Sequence, residues 1–190
     1  MRRVAFDEAV AALMLKRIYV ISDLHIGGDT LLGRPYHLGS YNQKEHPMWE
    51  FITTGESIDN WKSLVTIIDR PDAHTRPELD RLAEGVMQNY RSHGAKILLA
   101  KTMVDRAGTP YNYLSAAFDE PAKNRYEFDF VKIALTPKNA YVAIYGVRIS
   151  DPANYLAKAK AFLDRHSGES GAAISDIVLP DIGKLPRKEF

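Results

Sequence analysis

Between Ala95 and Ile149 the chain carries four apolar-rich segments in close succession: AKILLAKTMV (95–104), YNYLSAAF (111–118), YEFDFVKIAL (126–135) and AYVAIYGVRI (140–149). Their connections contain Gly108-Thr109-Pro110, Glu120-Pro121 and Thr136-Pro137-Lys138-Asn139. Turns this short cannot carry a crossover, so the segments are expected to pair as antiparallel neighbours. In the third segment Tyr126, Phe128 and Phe130 share one face, and Val131, Ile133 and Leu135 share the other. A strand that is apolar on both faces needs cover on both, which predicts a sheet with a helix on each side.

The flanking sequence supplies two helices. Thr75 and Glu78 have capping-box spacing, and Pro77 sits in the first turn. Leu79, Leu82, Ala83, Val86, Met87 and Tyr90 then repeat on one face until Gly94 ends the helix. A second helix is predicted from Ser150-Asp151-Pro152, with Tyr155, Leu156, Ala159, Phe162 and Leu163 as its stripe, ending near His166 to Gly168. Upstream, Tyr36 to Thr54 reads as a hairpin around a polar turn at Asn42 to Pro47. After turn chemistry at Gly55 to Asn60, Trp61 to Ile68 reads as a strand with Trp61, Ser63, Val65 and Ile67 on one face. Three regions follow: residues 1–35 as an arm with one strand (Ile18 to Ser22), 36–168 as the main domain, and 169–190 as a tail with an apolar patch. The expected fold class is α+β, a central antiparallel β-sheet flanked by two helices.

Composition narrows the function. A net charge of +1, with Lys and Arg scattered rather than striped, argues against nucleic-acid binding. The absence of cysteine excludes disulfides, thiolate metal sites and cysteine nucleophiles. No run reaches the roughly 20 apolar residues of a membrane span. In the opening MRRVAFDEAVAALMLKR, Asp7 and Glu8 precede the apolar run, which fits an amphipathic helix better than a signal peptide and favours a cytoplasmic location.

One short motif carries candidate metal chemistry. RIYVISDLHIGGD (17–29) puts a carboxylate and an imidazole at the end of an apolar strand. It resembles the first motif of the calcineurin-like metallophosphoesterases, which implies Asp23 and His25 as ligands in a two-metal centre holding manganese or other divalent ions. The other segments of that family, Gly-Asp-x-x-Asp, Gly-Asn-His and Gly-His-x-His, do not occur, and His37, His46, His74, His93 and His166 stand singly. The competing reading is that Asp23 and His25 simply follow a buried strand and that the chain needs no cofactor. SGESG (167–171) imitates a nucleophile elbow without a preceding strand, and no lysine-bearing phosphate loop is present.

A second resemblance covers residues 36–166. WEFITTGESIDNWKSLVTI and EFDFVKIALTPKNAYVAIYGVRI, with the helix between them, resemble small bacterial proteins of the PsbP-like α/β/α sandwich. That resemblance implies a binding or accessory module without catalytic groups, recognising a protein partner or a small ligand. Trp61, Tyr113, Tyr126 and Tyr145 are the candidate ligand-binding residues; the alternative for each is a place in the core. Asp119-Glu120 reads as a turn, and Glu127 with Asp129 as a solvated strand edge. Two other functions stay open: a metal-dependent phosphoesterase using Asp23 and His25, and a structural subunit that oligomerises through an exposed strand edge.

Overall fold

The computed structural model describes residues 30–31, 34–105, 108–177 and 185. The expected strand at Ile18 to Ser22, Asp23 and His25 all lie outside them. In chain order the elements are β1 (Thr30–Leu31), β2 (Arg34–Asn42), β3 (Met48–Thr53), β4 (Ser63–Arg70), α1 (Arg76–Ser92), β5 (Lys96–Val104), β6 (Pro110–Glu120), β7 (Arg125–Leu135), β8 (Ala140–Ser150) and α2 (Tyr155–Ser175).

The strands form one sheet in the order β1-β2-β3-β4-β8-β7-β6-β5, and each described pairing is antiparallel. Two meanders therefore meet at the β4–β8 pair. After β4 the chain stands mid-sheet, and α1 carries it across one face to the far edge, where β5 starts the return. The helix begins where its chemistry dictates: the Glu78 carboxylate accepts the backbone N–H groups of His74 at 2.8 Å and Thr75 at 2.9 Å. It ends at Gly94, whose φ of 83° favours glycine.

The two helices cover opposite faces, as the alternation in β7 requires. Val131 and Ile133 pack with Leu79, Leu82 and Tyr90 of α1. Phe128 and Phe130 pack with Ala159 and Ile174 of α2, together with Trp49, Phe51, Tyr141 and Tyr145. Phe162 of α2 stacks on Phe128 with ring centroids 5.3 Å apart. The α+β class with a central antiparallel sheet between two helices is thus observed.

Three local expectations need correction. The second helix starts at Tyr155 rather than beside Pro152, because the Asp151 side chain first accepts the amides of Ala153 (2.9 Å) and Asn154 (3.0 Å) in a preceding turn. Leu156, expected on its buried stripe, is 55% exposed. The helix also continues past Gly168 to Ser175, so SGESG is helical and Ile174 is fully buried. Packing overrides propensity here. A Cβ on Gly171 would stand 2.9 Å from the Tyr113 hydroxyl, so the glycine is what lets α2 lie this close to β6. The end is then fastened by Lys132 of β7, whose ammonium donates to the carbonyls of Ser175 and Ile177, both at 2.7 Å.

Candidate functional site

On the α2 face, side chains from the sheet and the helix meet across a filled core. The α1 face is different. Helix α1 lies over β5, β6 and β7, and among the described residues no helix covers the neighbouring β8, β4 and β3. The step between helix and bare sheet leaves a groove of about 950 Å³, within the size range of small-molecule sites. Its floor is apolar, made by Met48, Ile68, Val142 and Ile144, and Leu82, Gly85 and Val86 of α1 form one wall. Its rim is polar. There Arg70 grips Asp72 through two hydrogen bonds of 2.8 and 2.6 Å and holds its carboxyl down at about 2, with His46 Nδ1 3.8 Å from the same carboxylate.

One end of this groove carries acid. Asp129 rises from the middle of β7 and is only 7% exposed. Its cross-strand partners are the small residues Ala116 and Gly146, so neither neighbouring strand fills the space beside it. The Tyr90 hydroxyl of α1 donates to Asp129 Oδ2 at 2.8 Å. Burial, helped by the nearby Glu127 carboxylate, pushes the Asp129 carboxyl up to about 7. Burial and the adjacent Asp129 raise the Tyr90 hydroxyl in the same way. Glu127 has a cation of its own: Arg148 Nε donates to it at 2.7 Å, while the guanidinium lies 3.6 Å over the Trp61 ring.

Trp61 stands on the face opposite to the expected one. It packs with Ile52, Ile58 and Leu64, away from Val65 and Ile67, and is 7% exposed. The reason is that β4 begins only at Ser63. Trp61 belongs to the preceding turn, where Glu56 Oε2 accepts the Lys62 amide at 3.1 Å and the Lys62 carbonyl accepts the Arg148 amide at 2.8 Å. A Cβ on Gly146 would lie 3.0 Å from the indole and 3.1 Å from Asp129 Oδ1. The glycine therefore lets ring and carboxyl approach over one strand.

The other sequence candidates are distributed away from this groove. Tyr113, Tyr126 and Tyr145 lie on the α2 face, where Tyr145 faces Phe130 and Tyr126 leans on Phe128 with centroids 4.9 Å apart. Tyr113 borders a second cavity of about 760 Å³ between β5, β6 and α2. Asp129 and Glu127 were expected on a solvated edge, and the structure corrects this: β7 is an inner strand between β6 and β8. The available signal was their period. They share the face of Val131 and Ile133, an apolar face that α1 has to cover.

The chemistry open to the site follows from these groups. A carboxyl that titrates near neutrality can give or take a proton, or pair with a ligand's charge. Among the described residues no group of three or more His, Asp or Glu could hold a metal, and no helix is long and apolar enough to cross a membrane. Compared with known proteins, the chain matches no protein-family model, and a search of curated proteins finds no match.

Proposed function

We propose that the chain is a non-catalytic binding module of the PsbP-like type that takes a small ligand with an apolar body in the groove beside α1. The observation that carries this reading is the groove itself, with its apolar floor, polar rim and one buried, titratable carboxyl at its end. Ligand sites have this composition: mostly apolar lining with a few polar groups that set orientation. The order of strands and helices, β2–β4, α1, β5–β8, α2, supports the PsbP-like assignment. The test is binding of a neutral apolar dye, Nile red, to the wild type and to Gly85→Leu. A Cβ at Gly85 meets nothing within 4 Å, so a leucine can project from the α1 wall into the groove without disturbing the core. Dye bound by the wild type and lost in the variant, at unchanged melting temperature, is the expected result; equal binding by both would overturn the reading.

A second reading, a structural oligomeric subunit, is favoured by strand β5. It forms an edge of the sheet and leaves Leu98 39%, Leu99 43% and Val104 61% exposed. Size-exclusion mass decides it: a strictly monomeric 21.4 kDa species would sink it.

A further inference from the structure

The groove's two chemistries, an apolar floor and an acidic end, ask for a ligand with two matching parts. We infer that the groove takes an amphipathic amine, its cationic head against Asp129 and Tyr90 and its apolar tail along Met48, Ile68, Val142 and Ile144. This rests on the binding-module reading above and names the ligand class for it.

The argument is one of charge complementarity in a desolvated place. The groups facing Asp129 come from each neighbouring element: Tyr90 and, one turn on, His93 from α1; Glu127 from β7 itself; Arg148 from β8; and Ala116 with Phe118 from β6. Among the described residues the cation that acts on Asp129, Arg148, is already committed to Glu127 and to the Trp61 ring. Among the described residues the Tyr90 hydroxyl is the one hydrogen-bond donor to Asp129, and it serves Oδ2, which leaves Oδ1 for an incoming donor. A buried carboxylate without a counter-charge is costly, and a bound ammonium supplies the cation that, among the described residues, is spent on Glu127. The aromatic rings of Tyr90 and Phe118, centroids 5.7 Å apart at this end, add surface that favours a cation. Two carboxylates repel an anionic head, and a neutral head can donate to Oδ1 but brings no counter-charge.

The experiment titrates n-octylamine and n-octanol, equal in tail and different in head, into the wild type at pH 8 by calorimetry. The wild type is expected to prefer the amine by about tenfold or more, the scale of a charge-assisted contact. That preference should weaken below pH 7, because Asp129 must ionise to pair. Asp129→Asn should bring the two probes to parity with octanol affinity unchanged, and Gly85→Leu should abolish both. Equal affinities in the wild type, or an amine preference that survives Asp129→Asn or ignores pH, would overturn the amine inference and leave the groove reading standing. Failure of the wild type to bind either probe, or undiminished binding by Gly85→Leu, would overturn both. Should Asp129→Asn lose octanol as well, the wild-type preference and its pH dependence decide the matter by themselves.

Discussion

Strand β7 buries one acid and one base three residues apart, and they face opposite ways. Lys132, 1% exposed, points to the closed α2 face, donates to two carbonyls at the end of α2 and lies 4.7 Å over the Tyr111 ring. Asp129, 7% exposed, points to the half-open α1 face and receives one neutral hydroxyl. Each charge is penalised by burial, but among the described residues the lysine meets two carbonyls and a ring while the aspartate meets one neutral hydroxyl. The contrast separates two placements of a buried charge: one that fastens an element, and one that, on the proposed reading, waits for a ligand's charge.

Stability against pH tests this contrast most strongly. The folded Asp129 carboxyl titrates at about 7 against an ordinary 3.8. Between those values the folded chain holds a proton that the unfolded chain has lost, so stability falls as pH rises, by on the order of 4 kcal/mol. Lys132 is lowered from 10.5 to about 8, and there the unfolded chain holds the extra proton, so stability climbs again above about pH 8. Asp72, held down at about 2, contributes stability that is lost only as pH falls below its ordinary 3.8, outside this window. Urea denaturation at a series of pH values should therefore show a minimum between about pH 7 and 8. In Asp129→Asn the acid-side fall should vanish: equal to wild type near pH 4, more stable by pH 8. A wild type that is flat from pH 4 to 7 would mean Asp129 is already compensated, and the contrast between the faces would collapse.

The closed face can be broken in turn. Lys132→Met keeps the length of the stem and removes the donor, leaving the Ser175 and Ile177 carbonyls without it. The expected loss is about 3 kcal/mol, with hydrogen exchange rising first in the last turns of α2. Buried charges are sometimes replaced by apolar side chains with no loss; a neutral or stabilising Lys132→Met would make the lysine a tolerated residue rather than a fastening.

Much of the scaffold was legible because it rests on short-range rules. The capping box at Thr75 and Glu78, the hairpin turn at Asn42 to Pro47 and the two-faced alternation of β7 need no knowledge of the rest of the chain. What failed needed strand order. Glu127 and Asp129 look like a solvated edge until β7 is placed between β6 and β8, beneath Tyr90. Gly168 reads as a helix end and SGESG as a stretch beyond it until the Tyr113 hydroxyl is found occupying the space where a Cβ would sit on Gly171. Trp61 alternates correctly on paper but precedes its strand, and an Arg148 amide bonded to the Lys62 carbonyl turns it to the other face.

The mildest test concerns the groove wall. Gly85 lies within α1, is exposed, and faces open space, with no atom within 4 Å of a would-be Cβ. Glycine in a helix interior is about 1 kcal/mol worse than alanine, through backbone entropy. On packing grounds alone, then, the wall holds a residue that weakens its own helix. Gly85→Ala should stabilise the fold by about 0.5–1 kcal/mol in urea denaturation. If the bare wall exists to admit a ligand, the same methyl should weaken n-octanol binding while the fold gains. A variant that gains stability and binds octanol as tightly as wild type would count against a ligand lying beside α1, as undiminished binding by Gly85→Leu would.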